Sequence, residues 1–189
     1  MLVVASASPR RLELLARIGV VLYAVDPAEL DETARKGEAG PAFAMRMAAE
    51  KAAVVAARHP GAVVLAADTV VAAGRRLLPK AQTEAQAQAC LTLLAGRRHQ
   101  VLTALTVIDP AGTARHRLST TTVAFKPLTA AEIRAYVALG EWRGKAGGYA
   151  VQGHAEAYVR FLHGSHSGVI GLPLTETRAL LRAAGVAVA

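Results

Sequence analysis

Residues 62–73 read AVVLAADTVVAA, an almost continuous apolar run that only Asp68 and Thr69 interrupt. Such a run is typical of a buried strand in an α/β protein. A carboxylate within it must be paired, protonated or bound to a metal, because an isolated charge is costly in a low dielectric. The sequence therefore makes Asp68 a candidate functional residue, with a turn carboxylate that caps local amides as the alternative of equal weight. Because a lone ionised carboxylate is costly to hold among these apolar residues, replacement by asparagine is expected to preserve the fold and to melt no lower than the wild-type protein.

Strand and helix signals alternate on both sides of this run. The sequence predicts strands at residues 2–5, 62–73, 100–108, 115–125, 149–152 and 156–162, and helices at residues 9–18, 41–58, 83–95, 129–139 and 174–184. The turn at residues 109–112, Asp-Pro-Ala-Gly, joins two of the strands into a long hairpin. This order predicts an α/β fold with a mixed sheet, in one compact domain of residues 1–189 with one lobe or two.

The composition narrows the class of ligand. The chain carries a formal net charge of +8, which indicates an anionic partner. Its 22 Lys and Arg are scattered as single residues and pairs, and aromatic residues make up only 4%, so a small anion fits better than a nucleic acid. No apolar stretch has the length or flanks of a signal peptide or a membrane span, so we expect a cytoplasmic protein that needs no membrane.

Three conspicuous features are assigned no chemistry. Cys90 stands among helix-forming residues without a disulfide partner and is interpreted as a packed thiol. His163 and His166 lack further ligands for zinc. The segment at residues 140–145 resembles a P-loop but is one residue short, and Ala146 stands where a magnesium-binding hydroxyl is required.

The segment SASPRR at residues 6–11 combines hydroxyls, two guanidiniums and the free amides of a helix N-terminus directly after a strand. Each of these groups favours an anion, and together they predict a phosphate site. An ordinary helix cap with solvated arginines is the alternative. Lys51 lies on the apolar face of its helix and needs an anionic partner unless it reaches solvent along the helix surface. Asp31 and Glu32 offer oxygen ligands for a hard cation such as magnesium.

Five blocks of sequence resemble the signatures of one family. They are ASASPRRLELL from Ala5, AEKA around Lys51, AADTVV around Asp68, EWRGKAGGYAVQG from Glu141 and GLPLTET from Gly171. In this order, and across almost the whole chain, they resemble the Maf proteins. The resemblance implies an elongated mixed sheet flanked by helices, with a central cleft, related to the inosine triphosphate pyrophosphatases, and it implies a homodimer. It also implies hydrolysis of a nucleoside triphosphate between the α and β phosphates, with magnesium as cofactor and manganese or cobalt as alternatives.

The resemblance assigns roles to single residues. Ser6, Ser8 and Arg11 would hold phosphate oxygens. Lys51 and Lys80 would neutralise the triphosphate charge. Asp68 would accept the proton of the attacking water. Glu32 matches the family's loop acid and would bind the metal together with Asp68, with Asp31 as the alternative. Arg10, Thr69, Lys145 and Gln152 resemble the branch that acts on dTTP and UTP. The family usually has Lys-Pro where this chain reads Pro79-Lys80-Ala81, and a loop without that proline is expected to be less rigid.

The sequence thus predicts a metal-dependent pyrophosphatase for dTTP and UTP, with a nucleotide as its partner and no requirement for nucleic acid. The amide of Gln152 both donates and accepts, so it matches the edge of uracil or thymine. The alternative is a nucleotide-binding regulator of cell division without catalysis. Asp68 discriminates between the two, because a protein that only binds polyanions has no use for a carboxylate beside the phosphates.

Overall fold

The structure is a computed structural model that describes residues 1–188. Its strands are β1 (Leu2–Val4), β2 (Ala24–Val25), β3 (Val63–Ala73), β4 (Arg76–Leu78), β5 (Arg98–Ile108), β6 (Ala114–Phe125) and β7 (Val159–His163). Its helices are α1 (Pro9–Arg17), α2 (Gly40–Arg58), α3 (Glu84–Leu94), α4 (Ala130–Leu139), α5 (His166–Ile170) and α6 (Leu174–Ala183), and a 3-10 helix spans His154–Tyr158. None of the helices within this range has the length and hydropathy that crossing a bilayer requires.

Local sequence signals set several helix ends. Pro9 occupies the first turn of α1, where its missing N–H removes no helical hydrogen bond. A capping box opens α4, because the Thr129 hydroxyl accepts from the Glu132 amide while the Glu132 carboxylate accepts from the Thr129 amide. Gly140 ends that helix in the left-handed conformation, at φ 73°.

Within residues 1–188 the strands form one sheet in the order β2-β1-β3-β5-β6-β7, with β4 also paired to β3. The pairings of β1 with β2 and with β3 are parallel, whereas those of β3 with β4 and β5, and of β6 with β5 and β7, are antiparallel. The long hairpin of β5 and β6 forms as the turn sequence predicts. The predicted mixed sheet of an α/β fold is confirmed.

A gap in the sheet lies along one edge of β3. On that edge β1 pairs with residues 63–65 and β4 pairs with residues 71–73. The opposite edge of β3 is paired with β5 without interruption from Val64 to Ala72. Residues 66–70 therefore have a strand partner on one edge only, and Asp68 lies at the centre of this gap.

The two faces of the sheet are covered differently. Alternate side chains of β3, among them Val64 and Ala66, pack against α2, whose alanines allow close approach. On the other face, Leu65 belongs to a core cluster with residues of α1 and α6. Val71, further along the same face, belongs to a second cluster with residues of α3 and α4. Thr69 lies between the two clusters.

The prediction of a strand at residues 149–152 is wrong. This segment forms turns, because the preceding Gly147 and Gly148 adopt positive φ and the Ala150 amide donates to the Tyr136 hydroxyl rather than to a strand. The strand predicted at residues 156–162 begins later, at Val159, after the 3-10 helix.

Candidate active site

A cleft of about 280 Å³ opens on the face of the sheet between the two core clusters. Thr69, Val71 and Val101 of the central strands β3 and β5 line it. Leaving aside Asp31, the alternative to Glu32, the structure brings to this cleft all but one of the side chains that the sequence indicated: Ser6, Ser8, Arg10, Arg11, Glu32, Lys51, Thr69, Lys80, Lys145 and Gln152. The remaining side chain, Asp68, lies behind Lys51 and is only 3% exposed.

Asp68 is paired, so the premise of an unpaired carboxylate is wrong. Its Oδ1 accepts a hydrogen bond of 2.7 Å from the Lys51 ammonium, which is itself buried. The same ammonium lies 2.5 Å from Glu32 Oε1, and the second oxygen of Glu32 contacts the Lys80 ammonium. Asp68, Lys51, Glu32 and Lys80 thus form a continuous ionic cluster. A lysine on the apolar face of a helix is expected to need an anionic partner, and for Lys51 the two carboxylates are that partner.

The electrostatics of this cluster distinguish Glu32 from its neighbour. Burial opposes the charge of Glu32, but the hydrogen bonds from Lys51 and Lys80 outweigh burial and lower the pKa of Glu32 to about 2. Glu32 is therefore ionised across the neutral range. The carboxylate of Asp31 instead accepts from the amide and the hydroxyl of Thr33 in a local turn. Glu32, and not Asp31, faces the cleft.

Arg11 is held by uncharged acceptors only. Its guanidinium donates to Gly171 O at 2.9 Å, to Ser6 Oγ at 3.0 Å and to Thr69 Oγ1 at 3.3 Å. Burial, the largest influence, lowers the pKa of Arg11. A buried guanidinium whose hydrogen-bond acceptors are all uncharged attracts an anion into the cleft. Ser8, at the N-terminus of α1, makes no side-chain capping bond, so its hydroxyl remains free for a ligand.

Lys80 and Lys145 stand on two loops that are joined to each other. The Ala81 amide donates to Lys145 O at 3.0 Å, and the Gly144 amide donates to Ala81 O at 2.9 Å. The Gly147 amide donates to Pro79 O at 3.1 Å, and a side chain at Gly147 would collide with Val71. The loop expected to be less rigid without a proline is thus fixed by hydrogen bonds, one of which uses the amide that a proline at position 81 would lack.

Tyr149 was not indicated as a site residue by the sequence. Its ring lines the cleft near Val71 and Val101, and its hydroxyl lies 2.8 Å from His99 Nε2. His99 is buried against the rings of Phe125 and Tyr149, and burial lowers its pKa to about 4. These apolar groups form a wall that suits a planar base. The two glycines before Tyr149 were the sequence signal that could have indicated this role, because glycine pairs interrupt a regular strand and change the direction of the ring that follows.

The cleft and the carboxyl group behind it carry an excess of positive charge. Five cations, Arg10, Arg11, Lys51, Lys80 and Lys145, stand against the two carboxylates Glu32 and Asp68, which leaves three positive charges. Low-dielectric walls concentrate the resulting field on a bound polyanion. Within residues 1–188 no group of three or more His, Cys, Asp and Glu side chains could hold a metal ion by itself. Cys90 is buried and His163 is exposed on β7, away from the cleft, and no zinc cluster includes His163 or His166.

Comparison with known proteins shows the family and the fold of this chain. Residues 1–184 match the family described as Maf-like protein. The chain belongs to the Maf family. A relative from Novosphingobium aromaticivorans named dTTP/UTP pyrophosphatase is 60% identical over 185 residues, covering 98% of this chain and 92% of that protein. A relative of the same name from Zymomonas mobilis is 59% identical over 184 residues, covering 97% and 91%. The solved structure of the Staphylococcus aureus Ham1 protein has the same fold, with a TM-score of 0.52 and 12% identity over 96% of this chain and 98% of that one.

One further residue of this Maf chain positions the loop that bears Glu32. Arg46 on α2 binds both carboxylate oxygens of Glu38, each at 2.7 Å, and donates to Thr33 O at 3.2 Å. It also contacts Glu50 on its own helix. These contacts attach residues 33–38 to α2, the helix that carries Lys51. No sequence pattern indicates this role, because Arg46 and Glu38 belong to none of the motifs.

Proposed function

We propose that this protein hydrolyses dTTP and UTP to the nucleoside monophosphate and pyrophosphate. The observation that carries the proposal is the ionic cluster of Asp68, Lys51 and Glu32 at the edge of a cleft with excess positive charge. A binder of polyanions needs the cations but not the carboxylates, whereas in-line attack of water on the α-phosphorus of a phosphoanhydride needs both. The names of the relatives at about 60% identity support the same activity and the same bases.

The residues present fit a divalent metal. Glu32 and Asp68 both lie within 2.7 Å of one point, the Lys51 nitrogen, so their hard oxygen donors converge. Magnesium commonly takes one or two protein carboxylates and completes its shell with water and substrate phosphate oxygens. We therefore assign Glu32 and Asp68 as ligands of magnesium, with manganese or cobalt as alternatives. When bound, the metal would neutralise phosphate charge and acidify water.

The chain's own residues account for the remaining steps. Substrate phosphates compete with Glu32 and Asp68 for the Lys51 ammonium, and a shift of that ammonium toward phosphate frees Asp68 Oδ1 to accept a proton from the attacking water. Arg11, Lys51, Lys80, the hydroxyls of Ser6 and Ser8 and the amides at the start of α1 stabilise the charge that develops on the leaving pyrophosphate. Apart from the shift of Lys51, these donors are positioned in advance and need little reorganisation during reaction.

Base selection is assigned to the other wall of the cleft. Arg10, Lys145 and Gln152 line that wall, and Tyr149 closes it. Burial is the largest influence on Arg10 and Lys145 and lowers the pKa of both side chains. The Gln152 side chain is exposed and can offer both its amide N–H and its carbonyl to the O4 and N3–H edge of uracil or thymine. We further propose that the protein acts in the cytoplasm, as a homodimer of single-domain chains.

The proposal predicts a preference among bases. We expect pyrophosphate release from dTTP and UTP to exceed release from ATP and GTP by at least about tenfold in kcat/KM, because a purine cannot place its edge at Gln152 with the same phosphate position. Initial rates with the four triphosphates, each with magnesium, manganese and cobalt in turn, measure this. Equal rates on all four bases would reject the pyrimidine assignment, and no release with any metal would reject hydrolysis.

Removal of the Arg46 contacts should weaken catalysis without touching the substrate. We expect Arg46→Ala to lower kcat by about tenfold and to raise the magnesium concentration at half-maximal rate, because the loop of Glu32 loses its attachment to α2. Arg35→Ala is the matched control, since Arg35 is exposed and its side chain bonds to Glu50 at 3.4 Å rather than to the carboxylate of Glu38. An unchanged magnesium requirement in Arg46→Ala would contradict the positioning role.

A further inference from the structure

A chain of hydrogen bonds leads from the cleft into the sheet. The Arg11 guanidinium contacts Thr69 Oγ1 at 3.3 Å, and Thr69 Oγ1 lies 3.0 Å from Thr103 Oγ1. The Thr103 hydroxyl in turn donates to Gly168 O at 2.8 Å. Thr69 and Thr103 are directly opposite each other in the β3–β5 register, so the sheet itself sets their distance.

The direction of every proton in this chain follows from its two ends. A guanidinium can only donate and a carbonyl can only accept, and each threonine hydroxyl has a single proton. The Thr103 hydroxyl donates its proton to Gly168 O, so the Thr103 oxygen must accept a hydrogen bond from Thr69. The Thr69 proton is then used on Thr103, and the Thr69 oxygen accepts from Arg11. Thr103 is 1% exposed, so water does not offer it another partner.

We propose that Thr103 fixes Thr69 as a contact that only accepts hydrogen bonds, and that this position of the cleft therefore selects a substrate group that donates one. Thr69 lines the cleft and keeps one oxygen lone pair after its bond from Arg11. A phosphate oxygen or the N3 of cytosine brings only lone pairs to this atom and is disfavoured. A sugar hydroxyl brings the required proton, and so does the imide N3–H of uracil or thymine when Gln152 bonds to O4 alone. The inference rests on the proposed function, within which Thr103 is a positioning residue.

The inference explains why two threonines face each other beneath the cleft. A buried hydroxyl is tolerated when its bonds are made, and these two hydroxyls make theirs with each other and with fixed backbone and guanidinium groups. A valine at position 103 would keep the shape but leave the Thr69 proton without its acceptor. That proton could then turn toward the cleft, and Thr69 would no longer discriminate against a ligand lone pair.

The test compares substrate ratios in single variants. Thr103→Val, Thr103→Ser and wild type are assayed with UTP, CTP, dUTP and 3'-deoxyuridine triphosphate, and each ratio of kcat/KM values comes from one preparation. Such a ratio does not depend on the fraction of folded enzyme. Thr106→Val is the matched control, because Thr106 is equally buried on the same strand and its hydroxyl bonds only to His116, away from the cleft.

One of these ratios compares a substrate that carries the required donor with an analogue that lacks it. We expect Thr103→Val to lower that ratio of kcat/KM values by about two- to tenfold, the effect of one hydrogen bond. Thr103→Ser and Thr106→Val should keep the wild-type ratios. A lower UTP to CTP ratio identifies the imide as the donor. A lower ratio of UTP to dUTP or to the 3'-deoxy compound identifies a sugar hydroxyl.

Two results would overturn the proposal: unchanged ratios in Thr103→Val, or equal changes in Thr106→Val. If Thr103→Val does not fold, Thr69→Val provides the same test, because it removes the acceptor and leaves the Thr103 bond to Gly168 intact. No pyrophosphate release by wild type would reject the proposed function itself, which is a separate result.

Discussion

Asp68→Asn should reduce pyrophosphate release by about 100-fold to 10,000-fold at every magnesium concentration, the range that loss of general-base help alone produces. The amide cannot accept the proton of the attacking water, and it is a poor ligand for a hard cation. The Michaelis constant for dTTP should change little, since Arg11, Lys80 and Lys145 remain in the cleft. Steady-state kinetics over a magnesium series measure both quantities.

The stability of this variant is expected to fall, contrary to the expectation from sequence. Asp68 accepts a hydrogen bond from buried Lys51, and a neutral acceptor holds an ammonium less strongly than a carboxylate does. The amide oxygen can still accept, and Glu32 still contacts the same nitrogen, so we expect a loss of about 1–3 kcal/mol in the free energy of unfolding. Urea denaturation measures it.

Asp109→Asn serves as the control. Asp109 accepts from Arg115 and from two backbone amides in the turn of the β5–β6 hairpin, far from the cleft. This variant should also lose stability, yet keep the activity of wild type per folded molecule. If Asp68→Asn retained near-normal activity, Asp68 would be a structural partner of Lys51 and the mechanism would be wrong.

Glu32→Gln should separate binding from catalysis. Hydrolysis should fall on the order of 100-fold or more, because loss of a metal ligand is at least as severe as loss of a residue that supports one. Binding of dTTP without metal should instead become equal or tighter, because the ionised Glu32 competes with phosphate for Lys51 and Lys80. Opposite signs in the two measurements are the diagnostic result.

Isothermal titration calorimetry in the presence of a chelator gives the binding constant, and pyrophosphate release gives the rate. Asp31→Asn is the matched control, since its carboxylate is occupied with Thr33 and should leave the rate within about twofold of wild type, as surface changes usually do. If Asp31→Asn were the inactive variant and Glu32→Gln the active one, the metal would be held by Asp31.

The fold was predictable where a single periodic signal dominates. The apolar run of β3 and the turn at residues 109–112 gave strands and a hairpin that the structure confirms. The prediction failed at residues 149–152, whose apolar letters look like a strand. There the neighbouring glycines and a tertiary bond from Ala150 to Tyr136 decide the conformation, and neither is a local propensity.

The residues that form the cleft were predictable from the sequence, but the contacts among them were not. Motif resemblance indicated Lys51, Asp68 and Glu32 one at a time, and their shared contacts depend on how α2 packs over β3. Arg46, Thr103 and Tyr149 were missed for the same reason. Each acts through a residue that is distant in sequence. The pattern of apolar and charged residues in its own segment does not indicate that contact.

The register of β3 also limits how this site can change during evolution. Asp68 and Thr69 are adjacent, yet their side chains project to opposite faces, toward Lys51 of α2 on one side and toward Arg11 of α1 on the other. Deletion or insertion of one residue in this strand would exchange the two faces and place the carboxylate beside Arg11. New substrate preferences in this family should therefore arise by substitution or by changes in loop length, while the spacing within β3 stays fixed.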